Sequence, residues 1–501
     1  MNSVARSDHI AAAIPARVAT QTRNQTRPQY AIFCLIALCI LSLPLVNPWV
    51  RGDGVGYYAY VRSLLIDHDF RFEKDWLAAN PSFAQGRVVS GHVQPDQYSS
   101  TGYIKNHFSV GPAILWAPFL AAVHGAVLVV NFFGARVLPD GYSRPYLITM
   151  AVSTALYGFV GLLLAFDIAR SYVEERWAFL ATLGIWFASS LPVYMYFNPS
   201  WSHAHSAFAV ALFLWYWNRT RNRRTFLQWV SLGLVAGLMM NVYYPNAILL
   251  LVPALEAVVD YLRVIKNASH ASGSVLNLLR KHTLFVVIMA LALMPTFVTR
   301  RIIFGASLES GYPPIRTWSW TSPKLISVLF STDHGMLLWT PILIPAIVGL
   351  LFFQRRDHLF GAGLLISTLV FYYFIASYPD WDGISSFGNR FFVSITPIFV
   401  VGLSAILELS SHWSKRLGRN IAAAGCAVGL LVLWNCGLMF QWSSHMVPAR
   451  GPISFSAMVR NQFSTVPQGI HGYMQAYLFK RKMLMQEIEK RDLDQLRRGR
   501  D

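Results

Sequence analysis

Twelve apolar runs divide this chain, and their repetition limits its fold more than any other feature. They fall near residues 30–46, 109–132, 145–169, 177–197, 204–217, 227–242, 245–262, 282–299, 335–353, 358–377, 391–408 and 420–441. A bilayer core about 30 Å thick takes roughly 20 apolar residues as a helix. Within lipid, each backbone N–H and C=O must find its partner inside the structure. The expected fold is therefore all-α, a polytopic transmembrane helical bundle. Composition agrees: 54% of the 501 residues are hydrophobic and 13% are charged, against about 25% charged in a soluble domain. A soluble enzyme, a disordered chain and a disulfide scaffold are excluded. Cys34, Cys39, Cys426 and Cys436 all lie inside apolar runs and read as small hydrophobes. No Cys/His spacing suggests a metal site.

Lys plus Arg exceed Asp plus Glu by 42 to 24, giving a net charge of +18. The excess sits in short segments between apolar runs: Arg6, Arg17, Arg23 and Arg27, the arginines at 219–224, the 263–281 segment, and Lys415, Arg416 and Arg419. That distribution is the positive-inside pattern of membrane topology, not a nucleic-acid surface.

Charge also constrains the span count. With the N-terminus inside and all twelve runs crossing, the three later clusters fall outside. If 109–132 does not cross, they all return inside. That run carries Pro112 and Pro118, which interrupt helical hydrogen bonding. The reading is about 11 spans, with a juxtamembrane or re-entrant hairpin at 109–132; a full span with an outward N-terminus is the alternative. It makes 1–29 a cytoplasmic N-terminal tail, with a first helix that is retained, not cleaved. Residues 30–441 form the transmembrane module, in which 47–144 is a large external first loop with juxtamembrane helices. Residues 442–501 are an external tail. From about Gln475 it reads as an amphipathic helix with Leu478, Met485, Ile488 and Leu493 among charges, lying on the membrane surface or solvated.

Ionisable residues avoid the middle of the runs. Asp167, Glu256, Asp260 and Glu408 all sit toward the inner ends, whereas ion-coupled transporters keep such groups at mid-depth. No Walker A, GxSxG or HExxH motif occurs. Polar groups gather in the external segments instead, which favours chemistry at the outer interface on a lipid-anchored substrate. The first segment begins Arg51-Gly52-Asp53-Gly54-Val55-Gly56-Tyr57-Tyr58. Asp53 reads either as a helix cap or as a functional carboxylate beside tyrosines suited to a sugar. Asp67, Asp69, Glu73 and Asp75 read as a solvated loop sooner than a Ca²⁺ site. Lys105 leads the 109–132 run, as an interfacial cation for a lipid phosphate or a snorkelling side chain. His203 and His205 stand two apart, a weak metal spacing. Asp382, Asn389 and Arg390 precede a late run, and an arginine on the outer side suggests an anionic partner.

These segments resemble the GT-C superfamily of polytopic membrane glycosyltransferases, including the protein O-mannosyltransferases and the aminoarabinose transferase of lipid A. The likeness rests on the acidic motif at Asp53 after the first span, the Lys105-Asn106-His107-Phe108-Ser109-Val110-Gly111-Pro112 element, and Ser386-Phe387-Gly388-Asn389-Arg390-Phe391 before a late span. Gly54 stands where the family often has a second acid, so a metal or paired-carboxylate role lacks support and no cofactor is expected. The resemblance implies inverting transfer of a sugar from a polyprenyl-phosphate donor to a hydroxyl of a glycan, lipid or protein acceptor. Asp53 would be the general base. Lys105 and Arg390, with Arg62 and His107 behind them, would bind the donor phosphate. Tyr57, Tyr58, Asn389, Asp382 and His203 would line the sugar or acceptor site. Membrane lipids are the other expected partners, and the location is a bacterial inner membrane with the site on the periplasmic face. Two other readings survive the sequence: a lipid-linked oligosaccharide flippase, and a non-catalytic assembly subunit.

Overall fold

The computed structural model describes residues 30–266, 271–413, 420–448 and 451–498. The expected tail at 1–29 and the basic cluster at 415–419 lie outside them. The described chain is a helical bundle, and its only sheet is a short hairpin pairing Val88–Val89 with His92–Val93. Among the described residues, six helices are long and apolar enough to cross a membrane: Gly111–Phe132, Arg144–Arg170, Ser274–Ala292, His358–Ser377, Arg390–Ser411 and Ile421–Ser443. Three shorter apolar helices accompany them, Tyr30–Leu45, Phe226–Val242 and Leu343–Phe353. The protein is thus a polytopic helical membrane bundle. Several other apolar runs are broken instead of forming single long helices. The 177–197 run, for example, divides into the helix Glu175–Phe187 and a wide turn at Val193–Phe197. All four cysteines are free thiols.

The bundle has two distinct ends. Arg144–Arg170 and His203–Thr220 run parallel: Tyr157 meets His205 near one end, and Trp215 Nε1 donates to Asp167 at 2.7 Å near the other. At the second end the inner acids of the sequence are all paired with arginines. Arg170 holds Asp167 at 2.6 Å, Arg224 holds Glu256 at 2.8 Å and Arg263 holds Asp260 at 3.3 Å. Arg356 pairs with Glu408 and Arg221 with Asp357. The first end carries Asp53.

The 109–132 run departs from expectation. Gly111–Phe132 is one continuous helix of 22 residues, about 33 Å long, which excludes the re-entrant hairpin and fits either a juxtamembrane helix or a full span. Pro112 falls in the first turn, where its missing N–H has no intrahelical partner to lose. Pro118 lies inside without ending the helix. It packs antiparallel to Arg144–Arg170, with Trp116 Nε1 donating to Thr154 Oγ1 at 2.9 Å and His124 Nδ1 2.7 Å from the Tyr146 hydroxyl. The turn that follows meets the Asp53 segment again: Tyr58 donates to Gly141 O at 2.6 Å and Arg62 Nε to Asp140 O at 3.1 Å.

The C-terminal tail also departs from expectation. It forms three helices, Phe455–Phe463, Thr465–Phe479 and Arg481–Arg498. The last is not a free solvated helix. It lies across the Asp53 end, where Tyr477, Met485 and Ile488 make a small buried cluster of their own. Arg481 donates to the carbonyls of Pro44 and Val46, and Tyr477 donates to Leu45 O at 2.8 Å. The tail therefore grips the end of the first helix.

Candidate active site

The site begins with a sharp turn into the helix Asp53–Arg62. Gly52, at φ 52° and ψ −134°, precedes it in a conformation that other residues rarely adopt. A Cβ at Gly52 would also stand 3.0 Å from the Trp201 ring. Two further glycines let the helix sink into the bundle. A Cβ on Gly54 would lie 2.0 Å from Ser200 Oγ, and one on Gly56 would lie 1.9 Å from the Phe108 ring. No second acid fits at position 54. Gly54→Ala is expected to destabilise the bundle by about 1–3 kcal/mol, the usual cost of overpacking. Thermal unfolding in detergent measures this, and an unchanged midpoint would contradict the packing described.

Asp53 does not cap its helix; no side-chain capping bond is present at this N-terminus. Its Oδ2 instead accepts from Arg390 Nη1 at 2.5 Å. Oδ1 makes no hydrogen bond among the described residues. The two partners are 337 positions apart. Asp53 remains 30% exposed while Arg390 is 11% exposed, so the acid faces the opening and the cation stands behind it. The guanidinium lies 4.6 Å over the Trp201 ring, and Trp201 Nε1 donates to Arg51 O at 2.9 Å. Arg390 Nε is buried without a hydrogen-bond partner.

The pair opens into a cavity of about 880 Å³. Tyr57, Tyr243, Tyr244, Tyr312, Tyr378 and Trp201 supply aromatic walls, and His107, His203 and Asp380 join them. The His107 ring stands 4.1 Å from Phe108 and 4.8 Å from Tyr312. Burial lowers its pKa to about 4, despite the opposing charge of Asp53. The imidazole is therefore neutral at pH 7 and offers a neutral hydrogen-bonding group, not the cation expected for a phosphate. Burial likewise raises the Tyr57 hydroxyl well above its ordinary value, keeping it protonated.

Of the residues expected at the site, Asp53, Tyr57, His107, His203 and Arg390 share this cavity. The others do not line it. Lys105 is exposed, with Nζ donating to Asp96 O at 2.9 Å. Its place near the 106–108 segment is taken by buried Arg300, which donates to the carbonyls of Asn106, His107 and Phe108 at 3.3, 2.8 and 3.3 Å. Arg62 is committed to Asp67 at 2.5 Å and Asp75 at 3.3 Å. Burial lifts Asp75 to about 6 against the pull of Arg62 and Tyr142. This network, with Lys74 on Asp67 at 2.7 Å, replaces the solvated acidic loop. Tyr58 is spent on Gly141. Asn389 is buried and braces its own loop by donating to Trp381 O at 2.8 Å. Asp380, not Asp382, reaches the cavity. His205 turns away from His203, into a cage of Trp116 and Tyr157 rings. Among the described residues no group of three His, Cys, Asp or Glu side chains is placed to hold a metal.

The C-terminal helix supplies a wall that the sequence did not announce. Ile488, Asp492, Gln495 and Leu496 line the cavity. Asp492 pairs with Arg51 and accepts from His445 Nε2 at 2.8 Å. Glu489 takes the Asn80 amide at 2.9 Å and the Ser82 N–H at 2.5 Å. Burial pushes Asp492 up, but His445 and Arg51 outweigh it and hold its pKa below the usual carboxylate value. A depressed acid stabilises the fold above its unfolded pKa and loses that contribution as pH falls through the folded one. The contacts of Asp492 with Arg51 and His445 are therefore made at neutral pH. The double variant Asp492→Ala/Glu489→Ala is expected to make 481–498 sensitive to limited proteolysis at pH 7 while the rest of the bundle stays resistant. Equal resistance in both proteins would mean that these carboxylates do not hold the helix.

No family model and no curated protein matches the chain. Solved structures of similar outline include the archaeal oligosaccharyltransferase AglB from Archaeoglobus fulgidus, in complex with an inhibitory peptide and a dolichol-phosphate. It is 13% identical with a TM-score of 0.49, over 89% of this chain and 60% of that one. ArnT from Cupriavidus metallidurans in the apo state is 12% identical with a TM-score of 0.48, over 93% of this chain and 75% of that one. The same ArnT bound to undecaprenyl phosphate is 13% identical with a TM-score of 0.45, over 93% and 74%. The chain thus spans about 60% of the length of the archaeal enzyme it matches.

Proposed function

We propose that this protein is a membrane glycosyltransferase that moves a sugar from a polyprenyl-phosphate donor to an acceptor hydroxyl at the Asp53 end of the bundle. The observation that carries this reading is the Asp53–Arg390 pair. Arg390 uses one nitrogen on Asp53 and keeps Nε buried without a partner. A guanidinium fork can then hold the carboxylate on one side and a phosphate on the other. The aromatic walls suit the faces of a sugar ring.

In this reading Asp53 takes the acceptor O–H proton as the hydroxyl oxygen attacks the anomeric carbon. The bond from that carbon to the phosphate oxygen breaks, and its electron pair leaves with the polyprenyl phosphate. A hydroxyl is a weak nucleophile at neutral pH, so the base matters. The departing phosphate gains negative charge, which Arg390 stabilises in a cavity partly shielded from water. His107 and His203 serve as neutral hydrogen-bonding groups. Single displacement inverts the anomeric centre. In this reading the site faces the outside of a bacterial inner membrane.

The test is to incubate the purified protein with polyprenyl-phosphate sugars of known anomeric configuration and an acceptor extract, then assign the product anomer by NMR. Inverted product supports the reading. Retained configuration would remove single displacement, and flux of donor across liposomes without product would favour a flippase.

A further inference from the structure

We infer that the arginine end holds a second site, for a phosphate-bearing ligand whose source is an anionic membrane lipid. A separate cavity of about 340 Å³ opens there, remote in sequence from the Asp53 segment. The turn between His203–Thr220 and Phe226–Val242 contributes Arg221, Arg223 and Arg224, and Ala271–Ala292 contributes Lys281. Asp260 is the one carboxylate in the lining, and Arg263 occupies it at 3.3 Å.

The four cations divide into two kinds. Arg221 is fixed by Asp357, and Arg224 by Glu256 at 2.8 Å and by the Trp229 ring at 4.8 Å. These two build the wall. Arg223 and Lys281 carry no ion pair among the described residues. Both line the same cavity, so an anion bound there meets two cations that no carboxylate neutralises. Phosphate, with several acceptor oxygens, suits an arginine fork beside a lysine point charge.

The surroundings favour a lipid as the source. The two helices that frame the cavity carry exposed apolar side chains, Leu227 and Leu234 on one, Leu279 and Val286 on the other. A headgroup in the cavity leaves its acyl chains free to lie on these side chains. Basic pockets between helices at this side of a membrane are the usual seats of anionic headgroups.

The test is native mass spectrometry of the purified full chain in a neutral detergent. Wild type is compared with Arg223→Gln/Lys281→Gln, which strands no buried carboxylate. The probes are dioleoylphosphatidylglycerol, dioleoylglycerol with the same chains and no phosphate, and soluble glycerol 3-phosphate. Phosphatidylglycerol is expected to bind wild type roughly tenfold more tightly than the variant. Dioleoylglycerol should bind both alike. Glycerol 3-phosphate binding as tightly as the lipid, and lost in the variant, would overturn the lipid source while keeping the phosphate site. Equal phosphatidylglycerol binding by two proteins of matching unfolding midpoint would overturn the site itself. None of these outcomes depends on the reaction at Asp53.

Discussion

Arg390→Gln is expected to lower sugar transfer by about 10²–10³-fold, the usual cost of removing one group that stabilises developing charge. Glutamine still reaches toward Asp53 and still donates a hydrogen bond. It cannot neutralise a phosphate that gains charge as it leaves. The loss should therefore appear mainly in kcat, with a smaller rise in KM, because the interaction strengthens in the transition state. Arg390→Lys keeps the charge but not the fork or the stack on Trp201, which holds the guanidinium at 4.6 Å. It should recover only part of the rate. Steady-state kinetics with donor and acceptor varied separately will show this. A purely structural arginine would instead lower the unfolding midpoint and leave the kcat of the folded fraction unchanged.

Asp53→Asn is expected to cost more, about 10²–10⁴-fold, the range attributed to positioned general bases. The amide oxygen can still accept from Arg390 Nη1, which now lies 2.5 Å from Asp53 Oδ2. The local geometry and donor binding should survive, while proton transfer from the acceptor should not. Donor binding measured beside turnover separates the two effects.

The helical class was legible because lipid forces backbone hydrogen bonds to close within helices, and the run lengths show it directly. The behaviour of individual runs was less legible. Pro118 was read as a break, yet Gly111–Phe132 continues through it, because one lost backbone bond is outweighed by packing against Arg144–Arg170. Asp53, Tyr57, His107, His203 and Arg390, each in a polar segment between apolar runs, are brought to one cavity. The same logic put Lys105 and Arg62 with them, and the structure does not bring these two to that cavity. A sequence does not say which cation is spent on nearby groups, as Arg62 is on Asp67 and Asp75, and Lys105 on Asp96 O. Arg51 was in view within the motif, but its partner Asp492 lies 441 positions away. Tyr244 and Tyr312 each stand beside a proline in a polar turn, a signal that could have placed them at the rim of the bundle. Nothing local in 481–498 marks it as a wall of the cavity, since an amphipathic helix reads the same on a membrane as on a protein.

Single-turnover transfer is the most direct measurement, with radiolabelled polyprenyl-phosphate sugar and purified protein, wild type beside Asp53→Asn, and donor binding determined in the same preparations. Label should pass to acceptor with the wild type and remain on the lipid with the variant, although both bind donor equally. Equal transfer by the two proteins would remove Asp53 from the chemistry and contradict a reaction centred on the Asp53–Arg390 pair.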